Sequence, residues 1–175
     1  MKGGKKCLAL MLVVCMIIPS ITLCASAIVV EKKNVSWVNN YLEIINSAEA
    51  GKSFQLFYVN DDDIPELMVV GRYNAEGTKI YTAAADGSIS SVNCSLNGIT
   101  YSEHQNLMCD AGGSMDVFYH NIYHIEDGKF VMHYQGKYGA EDNTQVEVSP
   151  DGSPIYQYVW SGESVPKDEY YMLLY

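Results

Sequence analysis

The densest group of potential ligand side chains lies at residues 60–66, between two apolar segments. Four oxygen-bearing side chains in a row are followed by Ile64, Pro65 and Glu66. Calcium takes six to eight oxygen ligands from carboxylates, amides and backbone carbonyls. Because alternate residues of a tight loop can point inward together, the spacing predicts a calcium site whose ligands are Asn60, Asp62, the Ile64 carbonyl and Glu66. The alternative is a solvated hairpin loop whose acids cap backbone N–H groups.

Two histidines, His120 and His124, are separated by four residues within a β-prone run. On a helix they would share one face and could hold zinc. On a strand the same separation is about 13 Å, which is too long for one ion unless the strand bends. The pattern therefore favours surface or packed histidines.

The chain offers two further sets of reactive side chains. Cys109 has His104 and Asp110 nearby in the sequence, but a nucleophilic cysteine needs a base within hydrogen-bond reach, which sequence proximity does not supply. The carboxylates of residues 61–63 and Glu66 could serve acid–base chemistry only if they faced one another from separate elements. Neither set predicts an enzyme.

The N-terminus has the order of a secretory signal peptide. Three lysines precede an apolar run at residues 7–18, and Ala25-Ser26-Ala27 supplies the small residues of a cleavage site. We predict that residues 1–27 are removed and that the protein is secreted. The alternative is a lipid anchor at Cys24. The apolar run is shorter than the roughly 20 residues of a membrane-spanning helix, so we expect no membrane span.

Removal of this segment takes away three of the eleven Lys and Arg residues and none of the 21 acids, so residues 28–175 carry a net charge of −13. Such a surface repels nucleic acid and anionic membranes. The remaining length suits a single extracytoplasmic domain. Two cysteines remain, Cys94 and Cys109, and an even pair in an oxidising compartment predicts one disulfide.

The hydrophobic pattern predicts an α+β fold with an N-terminal helix, an antiparallel β-sheet of several hairpins and a short C-terminal helix. Apolar residues recur at three- and four-residue spacing over 36–48, which is typical of a buried helix face. Asp-Gly pairs then separate short β-prone runs, as hairpins do. A second helix is expected at 165–173, capped by Ser164 with Pro166 in its first turn. The strands are expected at 54–59, 66–70, 79–82, 88–92, 115–125, 129–134, 144–148 and 155–160.

The strand, Asp-rich loop, Pro-Glu-Leu and second strand of residues 57–70 resemble a hairpin of many secreted proteins and lipoproteins of gut-dwelling Firmicutes, often of unassigned function. The resemblance extends to Asp127-Gly128-Lys129-Phe130 and to the terminal segment 165–170, and loosely covers 37–174. It implies a Gram-positive gut bacterium as the source.

The acidic loop is also similar to the Asp-x-Asp-x-Asp calcium hairpins of integrin-type repeats. On that pattern Asn60, Asp62 and Glu66 take the second, third and last ligand positions. Tyr58 stands at the first position, and Asp63 replaces the usual glycine.

These observations predict a secreted or surface-associated, non-enzymatic binding module, stabilised by calcium, whose partner is an extracellular protein or glycan. The chain has 14 tyrosines, which are favoured at binding surfaces and are also ordinary strand residues. The alternative is a small extracellular hydrolase acting on glycan or peptide. A deep cleft lined by two separated carboxylates, or by His with Ser or Cys, would favour the enzyme.

Overall fold

The computed structural model of the chain describes residues 36–96, 99–140 and 146–175. The predicted signal peptide at 1–27 and the alternative lipid anchor at Cys24 therefore lie outside the described residues, as do the first two residues of the expected strand at 144–148. The described part of that segment, 146–148, is not a strand and has only an isolated bridge between Val148 and Pro154. Within the described ranges, no helix combines the length and the hydrophobicity needed to cross a membrane.

The described residues form two helices, ten strands and one short 3-10 helix, Asn74–Glu76. The helices are α1 (Ser36–Ser47) and α2 (Lys167–Leu174). The strands are β1 (Ser53–Phe57), β2 (Glu66–Val70), β3 (Thr78–Ala83), β4 (Ile89–Cys94), β5 (Ile99–Ser102), β6 (Leu107–Ser114), β7 (Val117–Glu126), β8 (Lys129–Gly139), β9 (Gln157–Trp160) and β10 (Glu163–Ser164).

The strands form two antiparallel sheets. One has four strands in the order β1-β2-β3-β4, and the other has six in the order β10-β9-β8-β7-β6-β5. Every neighbouring pair is antiparallel. The predicted α+β class with its hairpins is confirmed, but the expectation of one sheet is corrected to two.

Three apolar clusters hold the layers together. Helix α1 covers one face of the four-stranded sheet through Tyr41, Leu67 and Ala83. The core between the two sheets contains Phe57, Val59, Met68, Ile80, Cys94, Met108 and Ile125. Helix α2 covers part of the outer face of the six-stranded sheet through a third cluster, Ile122, Trp160 and Tyr170. Neighbouring residues such as Leu67 and Met68 serve different clusters because successive strand side chains point to opposite faces.

The β7–β8 hairpin is closed by the predicted Asp127-Gly128 turn. Both residues have positive φ, 49° and 68°, which defines the type I′ turn that suits the twist of a two-residue hairpin. A second reason for glycine at position 128 is space, because a Cβ there would lie 2.5 Å from the Cβ of Ala84. The hairpin tip therefore contacts the segment that follows β3.

Helix α2 and strands β5 and β6 depart from the expectations in specific places. The second helix begins at Lys167 with Pro166 as its N-cap, while Ser164 belongs to β10, so the expected Ser164 cap is wrong. Strands β5 and β6 were not predicted. The β6 segment contains Asp110 and two glycines and has little β-propensity; it becomes a strand because β5 and β7 pair with it on both sides.

The two cysteines of the predicted disulfide are free thiols in this structure. Cys94 lies in the core between the sheets, whereas Cys109 packs against the outer cluster. Cys109 follows Met108 of the inner core, so its side chain points to the opposite face of the sheet. Burial raises the pKa of Cys94 to about 12 and that of Cys109 to about 11. The disulfide stays a prediction, which intact mass with and without reduction would test.

Candidate functional site

The acidic loop connects β1 to β2 and is held by hydrogen bonds to Asp62. Asp62 Oδ1 accepts a hydrogen bond from the Ile64 N–H at 2.8 Å, and Asp62 Oδ2 accepts one from the Asn60 side-chain amide at 2.7 Å. The first bond is the Asx-type turn that an aspartate forms with the backbone two residues on. Both carboxylate oxygens of Asp62 therefore stabilise the turn.

Glu66 points into the protein interior. Its side chain is fully buried, with Oε2 accepting a hydrogen bond from the Val59 N–H at 2.8 Å and Oε1 accepting one from the Thr82 hydroxyl at 3.1 Å. Burial raises the pKa of Glu66 to about 7, against the opposing effect of these two hydrogen bonds. Glu66 therefore links the two ends of the acidic loop from the interior side through its hydrogen bond to Val59.

Two of the four predicted calcium ligands therefore have other partners. Glu66 is engaged in the interior and Asp62 within the turn. Of the side-chain oxygens of the predicted ligands, only Asn60 Oδ1 is buried without a hydrogen-bond partner in the described part of the chain. The geometry favours the solvated-turn alternative, and calcium binding at this loop stays a prediction.

The acidic loop is also held by the turn between β5 and β6. The backbone N–H groups of His104 and Asn106 donate to the carbonyls of Tyr58 and Val59, at 3.3 and 2.6 Å. The Tyr58 and His104 rings stack with centroids 5.1 Å apart. These contacts join the two sheets at this end of the molecule.

The three residues considered for thiol chemistry are separated. His104 lies beside the acidic loop, with Nδ1 3.3 Å from the Asn60 carbonyl. Cys109 packs in the outer cluster, and Asp110 is buried and accepts a hydrogen bond from Asn121 at 3.3 Å. A nucleophile needs its base within about 3 Å, so these residues do not form a thiol active site here.

The outer face of the six-stranded sheet carries an aromatic ladder. Phe118, Tyr138 and Tyr158 lie directly opposite one another on β7, β8 and β9. Their rings stack with centroid separations of 4.8 and 5.4 Å. Tyr170 of α2 meets Tyr138 and Tyr158 edge to face. Cross-strand aromatic pairs each stabilise a sheet by roughly 0.2–1 kcal/mol. The ladder therefore stabilises the six-stranded sheet and also forms part of its outer surface.

The ladder ends at a groove of about 570 Å³, called here the aromatic groove. Its lining includes Tyr156, Gln157, Tyr158, Ser164, Pro166 and Lys167. The Tyr156 hydroxyl donates to Asp116 Oδ1 at 2.7 Å, which fixes its ring. Gln157, Ser164 and Lys167 are exposed. No carboxylate and no histidine lies among the described residues that line the groove.

A third group of polar side chains lies near the tip of the β7–β8 hairpin. One ligand atom from each of His124, Glu126 and His133 lies within 4.8 Å of the others. The two imidazole rings stack with centroids 4.1 Å apart. His120, by contrast, lies with Nδ1 2.8 Å from the Tyr170 hydroxyl, and burial lowers its pKa. The two histidines four residues apart therefore have different partners, and His124 is joined by His133 instead.

The position of the Asp-Gly turn in the sequence could have predicted that His124, Glu126 and His133 lie together, but the four-residue spacing of His120 and His124 drew attention to the wrong pair. An Asp-Gly hairpin turn fixes Glu126 opposite Lys129, and counting back along the strands places His124 opposite Val131. His133 is then the next residue on the same face, because strand side chains alternate.

The described residues together define a two-sheet α+β domain with an aromatic groove. No family model, characterised protein or solved structure matches this chain.

Proposed function

We propose that the protein is an exported, non-enzymatic module that binds saccharide in the aromatic groove. The observation that carries the proposal is the groove's lining: two tyrosine rings beside an amide, a hydroxyl and an ammonium group. Tyrosine offers an apolar ring face with a polar tip, and sugar rings present apolar C–H faces bordered by hydroxyls. Gln157, Ser164 and Lys167 supply the donors and acceptors that such hydroxyls need.

The position of Lys167 supports a binding role. It is the first residue of α2, where the helix dipole is positive and a lysine gains no stabilisation from it. The residue is exposed and lines the groove, so its ammonium group can donate to a sugar hydroxyl or carboxylate.

The lining also supports binding over glycoside hydrolysis at the groove. Glycosidases generally flank the scissile bond with two carboxylates, roughly 5–10 Å apart. The described lining of the groove contains none. Export is proposed on the lysine, apolar and Ala-Ser-Ala order of residues 1–27, and N-terminal sequencing of secreted protein tests it.

The test is a glycan array containing neutral, N-acetylated and acidic oligosaccharides, followed by calorimetric titration with the best binder. We expect saturable binding that weakens at least about tenfold in Gln157→Ala and Lys167→Ala, because each removes a polar contact worth about 1.4 kcal/mol or more. Lys137→Ala, an exposed lysine of β8 outside the groove, is the matched control and should bind as wild type.

Four results would overturn the proposal. The array could show no binding, or the groove variants could bind as tightly as wild type. Release of reducing sugar from a bound oligosaccharide would support the hydrolase alternative instead. Capture of a defined extracellular protein, competed by no sugar, would make the partner a protein.

A further inference from the structure

The tip of the β7–β8 hairpin has an irregular register at one histidine. Tyr123 faces Met132, but the next pair is Ile122 with Tyr134, so His133 is an extra residue in β8. This is a β-bulge, in which two residues oppose one and a side chain is re-aimed. The bulge releases His133 from cross-strand pairing, and its ring lies against the ring of His124.

The three side chains at this position present a mixed nitrogen and oxygen donor set. His133 Nε2 lies 2.5 Å from Glu126 Oε1. The His124 and His133 rings are inclined by only 25°, so an ion at their edge could reach a nitrogen of each. Two imidazoles and one carboxylate suit zinc and related transition metals. Calcium prefers oxygen ligands alone.

The backbone that carries these side chains is held at several points. Asn106 brackets Ile125, which lies between His124 and Glu126: its Oδ1 accepts from the Ile125 N–H at 2.6 Å, and its Nδ2 donates to the Ile125 carbonyl at 3.0 Å. Gly128 in the turn lies against Ala84. Ligands on rigid elements bind more tightly because less ordering is needed on binding.

We propose that His124, Glu126 and His133 bind one divalent transition-metal ion, with Zn²⁺ as the best fit. Zinc with three protein ligands leaves a fourth position for water. Binding replaces the contact between His133 and Glu126 by two metal bonds and requires both imidazoles to be neutral. The ion would clasp the end of the longest hairpin, at a site distinct from the aromatic groove.

The experiment is calorimetric titration of ZnCl₂ into the untagged protein at pH 7.5, with CaCl₂ and MgCl₂ as controls. We expect one zinc per chain. Loss of an outer-shell partner of a metal ligand already weakens binding by about 10- to 100-fold, so loss of a ligand in His133→Ala or Glu126→Gln should weaken it at least as much. Cobalt(II) gives a second readout, because a site of low coordination number produces visible absorption bands.

His104→Ala is the matched control, since it removes an exposed histidine beside an acidic residue, Asp61, with Nδ1 to Oδ1 at 3.7 Å. It should bind zinc as wild type does. Circular dichroism confirms that each variant is folded. The proposal is overturned if wild type shows no saturable zinc binding at concentrations up to about 1 mM, which is far above the dissociation constants of structural zinc sites. It would also be overturned if His133→Ala and Glu126→Gln bound zinc as tightly as wild type, or if His104→Ala lost zinc binding.

Discussion

The acidic loop and the β7–β8 hairpin tip both gather potential metal ligands on a turn, but their polar atoms are used differently. In the loop, Asp62 accepts hydrogen bonds from the turn, and Glu66 accepts them from the interior. At the hairpin tip, His124, Glu126 and His133 contact mainly one another. The acids of the loop, which are close in sequence, thus form hydrogen bonds that stabilise the fold. The side chains at the hairpin tip, which strand register brings together, remain available to an ion.

The comparison predicts a large difference in stability between two glutamates. Glu66→Ala removes the carboxylate that accepts from the Val59 N–H and the Thr82 hydroxyl and leaves a cavity, so we expect a loss of about 3 kcal/mol in the free energy of unfolding. Glu126→Ala, which removes an exposed carboxylate, should change it by less than about 0.5 kcal/mol. Urea unfolding at pH 5.5 measures both. Equal losses would show that the two glutamates do not differ in this way.

A second prediction concerns the pH dependence that Glu66 confers. Its folded pKa of about 7 lies above the ordinary 4.5, so its contribution to stability is complete below about pH 4.5 and is lost as pH rises through 7. Glutamine mimics the protonated acid, since its oxygen can accept from Val59 and its amide can donate to Thr82. Glu66→Gln should therefore match wild type near pH 4.5 and exceed its stability by about 3 kcal/mol at pH 8.5.

The measurement is urea unfolding of both proteins across pH 4.5–8.5, with Glu126→Gln as the matched control. The difference between Glu66→Gln and wild type isolates this group from every other titrating side chain. A difference independent of pH would mean that Glu66 titrates normally and is not buried as described.

A smaller effect is expected from Asp62→Ala. The variant loses the hydrogen bonds to the Ile64 N–H and the Asn60 amide in an exposed turn, which should cost about 1 kcal/mol. The melting temperature of wild type should not respond to calcium up to about 10 mM, above the affinity range of extracellular calcium modules. A calcium-dependent rise in wild type that is absent from Asp62→Ala would instead establish the calcium site predicted from the sequence.

Much of the fold followed from local patterns. The spacing of Tyr41 with its apolar neighbours indicated α1, and the Asp127-Gly128 pair indicated the longest hairpin, because both signals act within a few residues. Strand β6 was missed because glycine has little β-propensity, and its glycines lie in a strand only because β5 and β7 pair with the segment. A Cβ on Gly112 would lie 2.6 Å from the Tyr119 hydroxyl across the strand pair, so the glycine makes room for a partner that only the register reveals.

The sites divide in the same way. The acidic loop was visible because its residues are consecutive, yet Glu66 is buried and accepts a hydrogen bond from Thr82 on a different strand. His133 comes to lie against His124 through the register of β7 and β8, which pairs residues from two strands. Lys167 and Tyr156 line one groove although they are eleven positions apart in the sequence. Sequence patterns predicted ligand types here, whereas register decided which ligands converge.

The most direct test of this account is a ¹H–¹⁵N correlation spectrum recorded with ZnCl₂ at one equivalent and, separately, with about 10 mM CaCl₂. We predict that zinc shifts the amide signals around His124, Glu126 and His133, and that calcium leaves those of residues 60–66 unchanged. Saturable calcium shifts in the acidic loop, together with an unperturbed hairpin tip in zinc, would contradict it.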